Sequence, residues 1–81
     1  MNIYFGNLSY KLKEKDLQQI LSEYGEVSSV KIITDRDTGR SKGFGFAEMT
    51  NDDEANKAIQ ELNGSDMDGR TIIVKVALPK N

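Results

Sequence analysis

Two segments of the chain repeat apolar residues every three or four positions, which is the spacing of an amphipathic helix. The first runs over about Glu14–Tyr24, and Gly25 follows it in the place of a C-terminal cap. The second follows an N-cap at Thr50 or Asn51, carries carboxylates in its first turn and ends at Asn63–Gly64. The apolar stripes are Leu17, Ile20, Leu21 and Tyr24 in the first segment, and Ala55, Ala58, Ile59 and Leu62 in the second.

Four other segments alternate apolar and polar residues with period two, which predicts strands. These segments are Asn2–Phe5, Val27–Thr34, Lys42–Met49 and Thr71–Ala77. The turn formers of Asp35–Ser41 make the second and third strands an antiparallel hairpin. The order βαββαβ predicts an α+β fold of the ferredoxin-like, split βαβ type. We expect a two-layer sandwich, with a four-stranded antiparallel sheet and two helices on one face.

The third predicted strand carries unlike chemistry on its two faces. One face holds Lys42, Phe44, Phe46 and Glu48, and the other holds Gly43, Gly45, Ala47 and Met49. Taken alone, this strand leaves two registers open, with the aromatic rings either buried in the core or turned outward. If the small residues form the inner face, they let the helices lie close to the sheet.

Packing of the neighbouring strands favours the register with exposed aromatic rings. In that register the inward residues are Ile3, Phe5, Val30, Ile32, Ile72 and Val74, and the core is largely aliphatic. Tyr4, Phe44 and Phe46 then lie together on the open face, with Lys31, Lys42 and Lys75 around them. The opposite register would bury three lysines, and an unpaired buried charge costs several kcal/mol.

Composition limits the classes of function. A chain of 81 residues is long enough for one core, so we expect one domain over residues 1–81. The sequence contains no cysteine and no histidine, which removes the usual ligands of structural zinc and the usual acid–base and thiol catalysts. We therefore expect no metal, no cofactor and no enzymatic activity. There is no secretory signal pattern and no apolar run near the roughly 20 residues of a membrane span, so we expect a cytoplasmic location and no membrane partner.

The net charge of -2 argues against a nucleic-acid partner, but the charge is segregated along the chain. Residues 31–42 contain four basic and two acidic side chains, whereas residues 51–69 contain one basic and six acidic side chains. Such a distribution is typical of a protein with one basic working face. Exposed aromatic rings beside lysines are well matched to single-stranded nucleic acid, whose bases offer π faces for stacking.

Two motifs carry a resemblance to a known family. Residues 42–49, Lys-Gly-Phe-Gly-Phe-Ala-Glu-Met, resemble the eight-residue ribonucleoprotein signature of the RNA recognition motif, and residues 3–8, Ile-Tyr-Phe-Gly-Asn-Leu, resemble its six-residue partner. The resemblance extends over nearly the whole chain. It is strongest to small single-domain RNA-binding proteins of bacteria and to glycine-rich RNA-binding proteins of plants. It implies base stacking on Tyr4, Phe44 and Phe46, and a backbone contact by Lys42.

The sequence departs from the family pattern at two signature positions. Ala47 stands where a larger aliphatic residue is usual, and Met49 stands where an aromatic residue is usual. Both face inward in the favoured register, so we expect them to alter packing more than binding. Glu48 faces outward, where it either repels a phosphate or reads a base edge.

The sequence therefore predicts a binding protein for single-stranded RNA, with single-stranded DNA left open, no small-molecule substrate and a monomeric state. The candidate RNA-binding residues are Tyr4, Phe44, Phe46, Lys42, Lys31, Lys75, Arg36 and Arg40, and Lys80 is a further candidate phosphate contact. The alternative is a protein–protein interaction module of the same fold. A phosphohydrolase of similar topology would need a phosphate-cradling loop, and a heavy-metal domain would need a Cys-x-x-Cys pair; the sequence offers neither.

Overall fold

The computed structural model describes residues 1–77, except for the side chains of residues 41 and 42. Its elements are β1 (Asn2–Gly6), α1 (Glu14–Ser22), β2 (Val27–Thr34), β3 (Ser41–Met49), α2 (Asp52–Leu62), β4 (Asp66–Met67), β5 (Arg70–Thr71) and β6 (Ile73–Val76). The main sheet has the strand order β2-β3-β1-β6, and all its neighbouring strands are antiparallel. The predicted α+β split βαβ fold is confirmed, with β1 and β3 at the centre of the sheet.

One core lies between the sheet and the two helices. Its buried apolar residues are Ile3, Phe5, Leu8, Leu17, Leu21, Ile32, Ala47, Met49, Ala55, Ala58, Leu62, Ile72 and Val74. The helix stripes and the inward strand positions that the sequence predicts supply most of this set. Ala47 and Met49, the two departures from the family pattern, are both buried in it.

The helix ends agree with the sequence at three of four places. The Asn51 side chain accepts a hydrogen bond of 3.0 Å from the Glu54 N–H, so Asn51 is the N-cap of α2. Gly64, with φ +82°, follows α2 in the left-handed conformation that favours glycine. The expectation for Gly25 is wrong, because Gly25 is not among the positive-φ glycines and α1 ends earlier, at Ser22. Glycine is needed there for space, since a Cβ atom on Gly25 would collide with the Glu54 side chain.

The last predicted strand is interrupted. Arg70 and Thr71 leave the main sheet and pair with β4 in a small hairpin, whose turn residues Asp68 and Gly69 have φ values of +53° and +82°. Two consecutive positive φ values are characteristic of the two-residue hairpin turn of type I′. Ile72 then bonds to the segment after α2, because its N–H donates to the Ser65 carbonyl at 2.9 Å. β6 then pairs with β1, and the Ala77 N–H directly after it donates to the Asn2 carbonyl at 2.9 Å.

Tyr24 links the end of α1 to α2. Its hydroxyl lies 3.4 Å from the Glu61 carboxylate. Partial burial, followed by the charge and hydrogen bond of Glu61, raises the pKa of Tyr24 above its ordinary value of 10.0. The hydroxyl is therefore neutral through the physiological range, and the pKa shift gives no pH dependence of stability until the pH reaches about 10, above which stability falls.

Gly45 is required by a neighbouring strand and not by a helix. It lies between Phe5 of β1 and Ile32 of β2, next to a shift of register between β2 and β3. A Cβ atom at this position would lie 2.5 Å from the Lys31 carbonyl oxygen and 3.1 Å from the Ile32 Cα atom. The absence of a side chain at Gly45 therefore lets the β2 backbone pass close to β3. This corrects the expectation that the small residue at this position serves to let the helices lie close to the sheet.

We predict that Gly45→Ala destabilises the fold by about 1–3 kcal/mol, because the added methyl group meets backbone atoms that cannot rotate away. Urea denaturation measures the change. Ser28→Ala, at an exposed position of β2, is the control and should stay within about 0.5 kcal/mol of the parent. Equal stability of Gly45→Ala and the parent would show that β2 can move aside.

Candidate functional site

Three aromatic side chains meet on the face of the sheet opposite the helices. The ring centroids of Tyr4 and Phe46 lie 5.6 Å apart, and each lies 6.4 Å from that of Phe44. Strand register brings them together, because Tyr4 of β1 lies directly opposite Phe46 of β3. These separations fall within the range of favourable aromatic pairs, about 4.5–7 Å. We call Tyr4, Phe44 and Phe46 the aromatic platform.

The platform is open to solvent although its rings contact one another. Phe46 is 40% exposed, and Tyr4 and Phe44 are half-buried. The alternate residues of the same strands, including Ile3 and Phe5, are fully buried on the helix side. The register with exposed aromatic rings is therefore confirmed. A contiguous apolar group on a solvated sheet face indicates a binding surface.

Two of the predicted basic residues lie beside the platform. Lys31 of β2 is opposite Phe46 in the sheet and is exposed. Lys75 of β6 is opposite Tyr4, and its Nζ atom lies over the Tyr4 ring, 5.3 Å from the centroid. A lysine at this distance makes a cation–π contact. The side chain of Lys42, on β3, and the whole of Lys80 lie outside the described residues.

Arg36 and Arg40 lie in the β2–β3 turn and are exposed. The turn is closed by hydrogen bonds from the Asp35 N–H to the Arg40 carbonyl, at 2.7 Å, and from the Asp37 N–H to the Asp35 carboxylate, at 2.8 Å. Gly39, with φ +73°, completes it in the left-handed conformation. The structure thus places these arginines beyond the strand ends, whereas register alone brings Lys31 and Lys75 to the rings.

Glu48 is exposed at the other end of β3. It lies opposite Asn2 of β1 and Ser29 of β2, on the same side of the strand as the platform rings. Its two strand neighbours are uncharged, so its carboxylate faces no cation across either strand. A carboxylate in this position accepts hydrogen bonds and repels phosphates.

Tyr10, in the loop after β1, is absent from the candidate residues predicted from the sequence. It is 65% exposed, and the Arg70 Cζ atom lies over its ring at 5.6 Å from the centroid. Arg70 is held in turn by a hydrogen bond of 3.0 Å from its Nη2 atom to the Asn7 Oδ1 atom. The available signal was an aromatic residue within a polar loop, outside every helix and strand pattern. Its partner Arg70 is sixty positions away and carries no such signal.

The RNA recognition motif family matches this chain over residues 3–73. The chain belongs to the RNA recognition motif family. A relative from Nostoc sp. that is named as an RNA-binding protein, RbpD, is 48% identical over 80 residues, which cover 99% of this chain and 85% of the relative. The predicted resemblance to small bacterial proteins of this family is confirmed; the resemblance to plant glycine-rich proteins stays a prediction.

Solved structures of other proteins share the fold. The crystal structure of RNA-binding protein PG1 superposes with a TM-score of 0.96 at 52% identity and covers 100% of this chain and 98% of its own. The structure of the Rna15 RRM with bound RNA (GU) gives a TM-score of 0.87 at 28% identity and covers 99% of this chain and 85% of its own. The family is one of binding domains, and the chain is not an enzyme. No helix within residues 1–77 is long and apolar enough to cross a membrane.

We predict that Phe46 and Phe5 differ sharply in their contribution to stability, although both are phenylalanines in the sheet. Phe5→Ala should cost about 3–5 kcal/mol, because Phe5 is fully buried in the core. Phe46→Ala should cost no more than about 2 kcal/mol, since it loses two ring contacts and only partial burial. Urea denaturation of the two variants makes the comparison, and equal costs would mean that Phe46 belongs to the core.

Proposed function

We propose that this protein binds single-stranded RNA by stacking bases on Tyr4, Phe44 and Phe46. The observation that carries the proposal is the open aromatic platform itself, three rings in mutual contact on the solvent side of a sheet in an RNA recognition motif fold. The names of its relatives, and a structural neighbour that holds RNA, support RNA as the ligand. They do not favour the protein-interaction alternative.

Single strands suit this surface better than duplexes. Bases in a duplex are already stacked on each other, whereas unpaired bases can lie on protein rings, each for about 1–3 kcal/mol. The Tyr4 and Phe44 rings are only 29° apart in orientation, so they can take two bases in nearly parallel planes. Phe46 is turned by 88° from Phe44 and presents a separate surface. Two to four nucleotides with a dissociation constant in roughly the micromolar range are expected from these contacts.

The basic residues hold the phosphates in this proposal. They are Lys31, Lys42, Lys75, Arg36 and Arg40, with Lys31 and Lys75 nearest to the platform in the strand register. Lys75 has to leave the Tyr4 ring before a base can stack there. The exposed cation–π contact is worth about 0.5–1 kcal/mol, less than the stack that replaces it, and the flexible lysine stem allows its ammonium group to turn to a phosphate.

The proposal includes residues 1–81 as one domain that acts as a monomer in the cytoplasm. Single-stranded DNA remains a second ligand, because stacking and phosphate contacts do not require the 2′-hydroxyl group. Competition between RNA and DNA of the same sequence separates these two ligands. Sedimentation of the free protein tests the monomeric state.

We predict that the double variant Phe44→Ala, Phe46→Ala keeps its fold and loses RNA binding. Two lost stacks amount to at least about a 30-fold increase in the dissociation constant. Fluorescence anisotropy with a pool of random-sequence RNA hexamers measures binding, and circular dichroism checks the fold. Val76→Ala is the control. Val76 is 47% exposed, and it lies two residues after the buried Val74, on the helix side of β6 and not on the platform side. If the double variant binds RNA as well as the parent, the platform is not the binding site.

We predict that Lys31→Gln and Lys75→Gln each reduce the salt dependence of binding. Each lost phosphate contact should lower the slope of log K against log salt by about 0.7 for a single strand. The same titration, repeated at several salt concentrations, gives the slope. Lys57→Gln on the exposed side of α2 removes one positive charge away from the platform and should leave the slope unchanged. If all three variants keep the salt slope of the parent protein, Lys31 and Lys75 are excluded as phosphate contacts.

A further inference from the structure

The platform residue Phe44 lies in a bulge of β3. Between two consecutive register pairs, β2 has one residue and β3 has three, residues 42–44. The two pairs that bound the bulge are Ile32–Gly45 and Thr34–Ser41. A bulge leaves such residues outside the ladder and redirects their side chains. The conformation of the bulge therefore decides where the Phe44 ring lies.

Phe44 differs in this respect from the other two platform residues. Tyr4 is paired in the sheet with Phe46 on one side and with Lys75 on the other, and Phe46 is paired with Tyr4 and Lys31. The ladder therefore fixes the backbone of both residues. Phe44 belongs to none of the register pairs within residues 1–77, so another contact has to hold it.

That contact comes from the loop after β1. The Leu8 N–H donates to the Gly43 carbonyl at 2.7 Å, and Leu8 itself is buried in the core. Gly43 has φ +86°, and a Cβ atom on it would lie 3.3 Å from the Leu8 carbonyl oxygen. Glycine accepts both the left-handed conformation and this close approach. Because Gly43 directly precedes Phe44, a displacement of Leu8 would move the Phe44 ring.

The β4–β5 hairpin holds the two sequence neighbours of Leu8. On one side, the Asn7 Nδ2 atom donates to the Thr71 carbonyl at 2.7 Å. On the other side, the Ser9 hydroxyl donates to the Asp68 Oδ2 atom at 2.6 Å. We call these two hydrogen bonds the clasp. The clasp ties the loop after β1 to a hairpin that forms a small sheet of its own.

The clasp joins two residues with an unusual backbone. Asn7 and Asp68 are the only residues other than glycine with a positive φ within residues 1–77, at +56° and +53°. This conformation is uncommon for residues with a side chain and persists where the surrounding contacts fix it. Ser9 is only 7% exposed, and its hydroxyl also accepts a hydrogen bond of 3.2 Å from the Lys11 N–H. The clasp is therefore an ordered part of the fold and not a chance meeting of surface groups.

We propose that Ser9 and Asp68 are positioning residues for RNA binding. Their hydrogen bond holds Leu8 in place, and Leu8 holds the bulge that carries Phe44. The proposal rests on the RNA binding proposed above, and in it neither positioning residue contacts a base. Loss of the clasp leaves the platform rings in the chain but lowers the fraction of molecules in which Tyr4 and Phe44, now 29° apart in orientation, can stack bases together.

Two variants of equal charge test the hydrogen bond. Asp68→Gly removes the acceptor for Ser9 and keeps the turn, because glycine is favoured at a positive φ. Asp68→Asn removes the same charge but keeps a side-chain oxygen that can accept from Ser9, and asparagine tolerates the left-handed conformation. The two variants therefore differ in the hydrogen bond and not in charge.

Asp68→Gly should weaken the binding of random-sequence RNA hexamers by about 3- to 10-fold, the net effect of one hydrogen bond on the population of the positioned state. The aromatic resonances of Phe44 in the free protein should shift, because its ring moves relative to Tyr4. Asp68→Asn should keep the affinity and the Phe44 resonances of the parent. Fluorescence anisotropy measures binding, solution NMR records the resonances, and circular dichroism checks the fold.

A double-mutant cycle tests whether the two residues act through one bond. Ser9→Ala removes the donor and should weaken RNA binding as Asp68→Gly does. The double variant Ser9→Ala, Asp68→Gly should bind no more weakly than either single variant, because both changes remove the same contact. Additive losses would show that the two residues act separately and would overturn the proposal.

The outcomes separate this proposal from the proposed function. If the parent binds RNA and Asp68→Gly binds equally well, the positioning proposal is overturned and the platform stands. Equal losses in Asp68→Gly and Asp68→Asn would assign the effect to charge and would also overturn it. If the parent does not bind RNA, the proposed function fails, and the NMR spectrum alone decides the positioning: unchanged Phe44 resonances in Asp68→Gly overturn it.

Discussion

The close passage of the β2 backbone past Gly45 is the constraint on which the binding face depends. It joins the edge strand to the central strand β3, and the alternation of side chains along β3 then decides which residues face outward. A register shift of one residue would turn Phe44 and Phe46 into the core and expose Ala47 and Met49. The fully buried Phe5 and Met49 oppose that shift, because burial of large apolar side chains is the main source of stability.

The distribution of charge adds a second level of organisation. Six of the 13 acidic residues lie within residues 51–69, whereas Lys31 of β2 and Lys75 of β6 lie beside the aromatic platform. Net charge therefore says little about the partner of this chain, since a phosphate backbone interacts with the local face and is screened from distant carboxylates within about a Debye length, 8–10 Å.

Sequence alone predicts the element order, the central strands and the exposed rings, because period-two alternation and the cost of burying lysines depend on local pattern. It does not predict the break before β6, because Arg70, Thr71 and Ile72 pair with the segment after α2 and not with β1, and the alternation of residues is the same for either partner. It also assigns Gly25 the wrong cause, because the Glu54 side chain that fills the space comes from another helix.

The candidate site shows the same division. Tyr4, Phe44 and Phe46 follow from two motifs and from strand alternation, and the structure confirms that they meet. The contact between Tyr10 and Arg70 is not predicted, because it joins a loop residue to a guanidinium that is sixty positions away in the sequence. Contacts of this kind depend on the whole fold and produce no periodic pattern in the sequence.

A residue-resolved solution titration with a pool of short random RNA tests the central claim most directly. Resonances of Tyr4, Phe44 and Phe46 and of the strands that carry them should shift on addition of RNA, while those of the exposed helix faces stay in place. Shifts confined to α1 and α2, or no shifts at all, would contradict the assignment of the aromatic platform as the RNA-binding surface.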